Sequence, residues 1–130
     1  MATITDFEDL DIWKLARNLC QDVNDIIINT KLQNDYKLRE QINGSTGSIM
    51  DNIAEGFDRG GKKEFRQFLS ISKGSCAEAR SQLTRVYDRK YITKEKFENI
   101  RNETLIIGKK IGSLIKYLNT TTHDGIKFKK

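Results

Sequence analysis

Phe97-Glu98-Asn99-Ile100-Arg101-Asn102-Glu103-Thr104-Leu105-Ile106-Ile107-Gly108-Lys109-Lys110-Ile111-Gly112-Ser113-Leu114-Ile115-Lys116-Tyr117-Leu118 is the stretch that decides the fold. Within it Phe97, Ile100, Thr104, Ile107, Ile111, Leu114 and Leu118 follow one another at steps of three or four. A helix turns once in about 3.6 residues, so these positions form one stripe along a single face. A strand would need alternation at every second residue, and no such run longer than four residues occurs in the chain.

The same spacing recurs upstream. Phe65, Phe68, Ser72, Cys76, Ala79, Leu83 and Val86 make a third-helix stripe. Leu38, Ile42, Ser45, Ile49 and Asn52, with Ile53 beside them, make a smaller and partly polar second one. Ile12, Ala16, Leu19, Val23 and Ile26 make the first. Punctuation agrees. Thr5-Asp6-Phe7-Glu8 has capping-box form, with Asp9 as the alternative start, and Thr93 with Glu95 can cap the fourth helix. Gly56 is placed to end the second helix in the left-handed conformation, and Gly60-Gly61 precedes the third. Asn29 to Asp35 reads as a polar connection. Gly44 and Gly47 lie mid-helix at a cost of ~1 kcal/mol each relative to Ala, which close approach of another helix could offset. Proline is absent, as long uninterrupted helices require. The pattern predicts helices near 9–28, 35–55, 62–88 and 94–119. Short connections make neighbours antiparallel, so the expected fold is an all-α, up-down-up-down four-helix bundle. It forms one domain over residues 1–119, followed by a frayed, polar, basic tail over 120–130.

A chain of 130 residues is one domain by length and long enough to bury a core. No apolar run reaches the ~20 residues of a membrane span, and the N-terminus lacks the form of a secretory signal, so the expected compartment is the cytoplasm, without membrane partners. Cys20 and Cys76 are the only cysteines and sit in helical patterns, as small core residues do. His123, in the tail, is the only histidine. A carboxylate-bridged metal bundle, a zinc site and a histidine-activated nucleophile therefore lack their ligands or base. Gly56-Phe57-Asp58-Arg59-Gly60-Gly61-Lys62 has phosphate-loop spacing, but Lys63 stands where Ser or Thr is required and a helix precedes it where a strand is required. No enzyme, cofactor, metal or small-molecule substrate is expected.

Charge is unevenly spread. Residues 1–57 hold 5 Lys/Arg and 10 Asp/Glu, a net of −5, whereas residues 58–130 hold 18 and 8, a net of +10. Arg59, Arg66, Lys73 and Arg80 recur every seven residues. Seven residues are nearly two turns, so the last three share a face with Arg59 at its entrance, and Lys62 and Lys63 join them in the first turn. Acidic residues on this helix are few: Glu64, Glu78 and Asp88. Such a line suits phosphate groups, and a glycine-led helix start could hold an anion. The competing reading is a solvated face, or one paired with the acidic first helix. A second apolar line, Trp13, Cys20 and Ile27, runs beside the first stripe, and Leu105, Ile106 and Ile115 lie off the fourth. Extra lines predict a further interface, between copies of the chain.

Several motifs carry a family resemblance. They are Leu10-Asp11-Ile12-Trp13-Lys14-Leu15-Ala16, Gln41-Ile42, Asn52-Ile53-Ala54-Glu55-Gly56-Phe57 with Arg59, Glu64-Phe65-Arg66-Gln67-Phe68-Leu69, Gly74-Ser75 and Ala77-Glu78. Over about residues 7–118 the chain resembles the four-helix-bundle, ribosomal-protein-like proteins encoded in intervening sequences of bacterial 23S ribosomal RNA genes. More distantly it is similar to the accessory variability proteins of diversity-generating retroelements. The resemblance implies a homopentamer, a nucleic-acid-binding role and no catalysis. It also implies that Asn52 and Glu55 are buried polar ties between helices and that Gly74-Ser75 is a close-packing point. Asn43-Gly44-Ser45-Thr46 departs from the family's basic and alanine residues, which removes a basic contribution from the second helix.

Two function classes follow. The first is an oligomer that binds RNA or DNA backbone through Arg59, Lys62, Lys63, Arg66, Lys73 and Arg80. The second is a structural or protein-interaction bundle whose basic face only keeps it in solution. The form of the positive surface discriminates between them: continuous for the first, interleaved with acid for the second.

Overall fold

The computed structural model describes residues 4–121. Four helices dominate it: α1 (Asp11–Asn29), α2 (Tyr36–Asp58), α3 (Lys62–Asp88) and α4 (Lys94–Thr120). Among the described residues there is no strand, and no helix is long and apolar enough to cross a membrane. Each helix packs on its neighbours in sequence, and α4 closes on α1. Antiparallel register shows in the cross-helix contacts. Ser45 and Ile49 of α2 meet Gln82 and Ser72 of α3, and Arg66 near the start of α3 meets Asn119 at the end of α4. The result is an antiparallel up-down-up-down bundle. Thr120 belongs to α4; residues 122–130, with most of the expected tail and His123, lie outside the described residues.

The four stripes converge on one core. Ile12, Ala16, Leu19, Val23, Leu38, Ile42, Ile49, Ile53, Phe65, Cys76, Leu83, Val86, Ile100, Ile107, Ile111 and Leu118 are all buried. Burial of this apolar surface, at about 25 cal/mol per Å², holds helices whose glycine and polar content would not hold them alone. Leu69 replaces the half-buried Phe68 in the α3 stripe.

Several expectations are corrected. No capping box forms: Phe7–Asp9 is a 3₁₀ turn, and the buried, extended Leu10 sets the start of α1. Gly56 does not end α2. It lies inside the helix, where a Cβ would stand 2.5 Å from the Phe68 Cβ, so glycine is needed for close approach to α3. The residue with positive φ after α2 is Gly60, at 84°. Conversely, a Cβ at Gly44, Gly47 or Gly74 would meet nothing within 4 Å, so none is a close-packing point within the chain. The connection after α1 is less polar than it reads. Leu32 is fully buried in a 3₁₀ turn, and the Thr30 hydroxyl accepts from its N–H at 3.1 Å.

Asn52 and Glu55 are not the ties between helices. The half-buried Asn52 donates to Ser48 of its own helix at 2.8 and 3.0 Å, and Glu55 is exposed and pairs with Arg59. The α2–α3 ties held away from solvent are hydroxyls on the seam, with Arg85 donating to Gln41 Oε1 at 2.8 Å on the exposed edge. Ser45 donates to Gln82 Oε1 at 2.6 Å, Ser72 donates to the Ile49 carbonyl at 2.9 Å, and Ser48 and Ser75 share a hydrogen bond at 2.9 Å. No buried side-chain polar atom among the described residues lacks a partner.

The second apolar line of α1 is largely spent inside the chain. Ile27 is buried, Trp13 packs edge-on to Phe7 at 5.3 Å, and the half-buried Cys20 thiol donates to the Thr46 carbonyl at 3.3 Å. Leu105 and Ile115 are half-buried. Large apolar side chains that do face outward include Ile28, Ile71 and Ile106, 53, 52 and 40% exposed.

Candidate functional site

The α3 helix has two edges beyond its core stripe. One meets α2 through the hydroxyl ties. The other carries Arg66, Lys73 and Arg80 along the seam with α4. Antiparallel packing sets Arg66 opposite Asn119, to which Arg66 Nη1 donates at 3.0 Å. The same register sets Lys73 beside Gly112, where a Cβ would stand 3.3 Å from Lys73 Cε, and Cys76 beside Gly108. Because neither glycine has a side chain, the seam stays open above its apolar floor. A cleft of about 240 Å³ results, lined by Lys73, Cys76, Ala77, Arg80, Thr104, Leu105, Gly108 and Lys109.

No carboxylate is among the lining residues. Lys73, Arg80 and Lys109 form no ion pair with any described carboxylate. Such an open cluster of cations attracts anions. Burial pushes the Cys76 thiol up to about 11, with Arg80 and Lys73 pulling the other way, so it stays protonated and acts as packing.

The other cations expected on this line are placed differently. Lys62 Nζ donates to the Thr121 carbonyl at 2.8 Å, which joins the start of α3 to the end of α4. Lys63 is exposed in the first turn of α3. Arg59 leaves the line: it pairs with Glu55 at 2.8 Å and lies 5.2 Å from the centre of the Phe68 ring. The start of α3 is not open to an anion, because the Glu64 carboxylate lies against Gly61. Lys109 is the residue that the sequence reading missed. Lys116, exposed, follows it seven residues later on α4, and that repeat was the available signal.

The opposite side of the bundle is acidic. Asp22 and Asp25 of α1 line a shallow groove with Arg17, Cys20 and Met50. Burial, then the neighbouring Asp22, hold the Glu103 carboxyl up at about 8, against a smaller pull from Lys96. Burial likewise raises the Cys20 thiol; its bond to Thr46 lowers it and Asp51 raises it. Among the described residues no group of His, Cys, Asp and Glu could hold a metal ion.

No curated protein matches this sequence. Among solved structures, the chain is similar to a protein of unknown function from the S23 ribosomal protein family of Bacteroides thetaiotaomicron. The two share 25% identity and a TM-score of 0.73, over 81% of this chain and 98% of that one. The profile of the 23S rRNA-intervening sequence protein matches residues 8–113, which include all of α1, α2 and α3 and most of α4. With the four-helix architecture and the motifs on α1 to α3, that match establishes that the chain belongs to the 23S rRNA-intervening sequence protein family.

Proposed function

We propose that this chain is a non-enzymatic, homo-oligomeric, cytoplasmic protein that binds the phosphate backbone of RNA or DNA through the α3–α4 cleft. No cofactor, metal or small-molecule substrate enters this reading. The observation that carries it is the cleft itself, where Lys73, Arg80 and Lys109 converge without a carboxylate among the lining residues. Guanidinium and ammonium groups so placed neutralise phosphates and release condensed counterions. The ribosomal terms in the names of the family and of its Bacteroides member favour nucleic acid as the polyanion. Self-association is supported by the outward Ile28, Ile71 and Ile106; five copies is the number implied by the family resemblance.

The test is a salt titration of binding to mixed-sequence RNA and DNA, comparing wild type with Arg66→Glu/Lys73→Glu. Three to five phosphate contacts predict a loss of roughly 10- to 1,000-fold between ~50 and ~200 mM salt, with little dependence on sequence. The double variant should bind far more weakly and with a shallower slope. If wild type binds nothing at low salt, or the variant matches it, the second reading takes over. In that reading the bundle is a protein-interaction module, favoured by the exposed Ile71 and Ile28.

A further inference from the structure

We propose that the α3–α4 cleft takes a single strand of nucleic acid by its sugar–phosphate backbone, bases outward, in preference to a duplex. The inference rests on the backbone-binding reading above and specifies its ligand. It starts from the register of the two helices. Arg66 stands opposite Asn119, Lys73 beside Gly112 and Cys76 beside Gly108. Lys109 therefore falls between the levels of Lys73 and Arg80, as its place in the cleft lining also requires. Lys116, two turns further along α4, falls between Lys73 and Arg66. Along the seam the order is Arg80, Lys109, Lys73, Lys116, Arg66, with the cations alternating between the two helices.

Successive members of this ladder are three or four helix residues apart, or ~4.5–6 Å at ~1.5 Å per residue. The whole ladder is straight and ~21 Å long. A strand within a duplex completes a turn in ~34–36 Å, so over ~21 Å it winds through more than half a turn and leaves a straight seam. An unstacked single strand has the freedom to follow it. Width argues the same way. Packed helix axes lie ~8–10 Å apart, so the seam between them admits one backbone, and a duplex can only rest on its rim. Gly108 and Gly112 let that backbone come down to the helix surface, as glycine does at phosphate sites. No aromatic residue lines the cleft, so there is no platform for stacked bases, and they point to solvent.

The experiment measures binding of the full chain to strands of about 12 nucleotides and to the matching duplexes, in RNA and in DNA, across a salt series. Single strands of both sugars should bind within a few-fold of each other and at least ~10-fold more tightly than either duplex, although the duplex has the higher charge density. Five contacts predict a slope near −3.5 for single strands, and Lys109→Gln/Lys116→Gln should make it shallower by about 1.4. Duplexes that bind as tightly as single strands overturn the inference. So does an unchanged slope in the α4 double variant, or a large preference for RNA, which would mean that the 2′-hydroxyl is read. In each of these cases the Arg66→Glu/Lys73→Glu result still stands for backbone binding. Absence of binding by every probe at low salt overturns both.

Discussion

The α2–α3 seam and the seams made by α4 handle polarity in opposite ways. Between α2 and α3 the polar groups held away from solvent are neutral, small and paired: Ser45 with Gln82, Ser72 with Ile49, Ser48 with Ser75; the one charged tie, Arg85 Nη2 donating to Gln41 Oε1 at 2.8 Å, lies on the exposed edge. A glycine at 56 brings the two backbones into close contact at one end. Around α4 charged groups stand exposed or half-buried on the seams. Lys73, Arg80 and Lys109 stand over the seam with α3, and Glu103 faces Asp22 across the seam with α1. Neutral hydroxyls lose little on burial once they are bonded, whereas charges lose much. Neutral pairs can thus fasten two helices tightly, while charged groups keep a seam open to water and to ligands. On the proposed reading, the contrast separates a fastened side of α3 from a binding side.

Gly56→Ala tests the fastened side and should give the largest effect. The new methyl would meet the Phe68 Cβ, an atom that no rotamer change removes, so α2 and α3 must separate. Overpacking of this kind costs ~1–3 kcal/mol, more than the ~1 kcal/mol that alanine returns in helix propensity. Gly112→Ala is the matched control, because its methyl meets only the mobile end of Lys73 and should stabilise by about 0.5–1 kcal/mol. Urea unfolding of both variants checks this pair, and equal effects would erase the distinction between the seams. A smaller effect is expected at Glu103. Its carboxyl titrates near 4.5 when unfolded and near 8 in the fold, so the folded state holds the extra proton between those values. Stability from this group is complete below about 4.5 and is lost as pH rises towards 8. Relative to wild type, Glu103→Gln should remove a decline of a few degrees in melting temperature over that window. A parallel decline in both proteins would refute the raised Glu103 carboxyl.

The sequence carried the α-helical stripes almost completely, because period 3.6 is a local property and each stripe is long. It was less informative wherever a residue's role depends on what faces it. Gly56 has the position of a helix end, yet its reason is Phe68, 12 residues on. Glu55 and Asn52 have the spacing of ties, but their partners are Arg59 and Ser48 of the same chain segment. Trp13, Cys20 and Ile27 read as a line left over for a partner, and the bundle used them itself through Phe7, Thr46 and the core. The site was half legible. Arg66, Lys73 and Arg80 share a period on one helix and could be found from it. Lys109 joins them only through the register of α3 against α4, which no single-helix pattern encodes. Arg59 has the period and lies elsewhere, because the chain turns at Gly60 before α3 begins.

The smallest expected change in stability is the one that most sharpens the contrast. Lys73→Gln, Arg80→Gln and Lys109→Gln each remove a cation from the open seam and keep most of the side-chain stem. None of the three loses an ion pair with a described carboxylate, because none has one. Arg80 is half-buried, and long cationic side chains bury their methylene stems while keeping the head in water, so glutamine retains part of such a stem. Surface substitutions away from caps, cavities and networks usually stay within about ±0.5 kcal/mol. Three like charges gathered in one cleft also repel, so relief of that repulsion offsets any lost packing. Urea midpoints of the single variants should therefore stay near wild type, and the triple variant should unfold no earlier, while its binding to nucleic acid at low salt falls steeply. A loss above ~1 kcal/mol in any single variant would mean that these cations fasten α3 to α4. The cleft would then be a structural seam like the one between α2 and α3, and its charge would need a partner within the assembled protein.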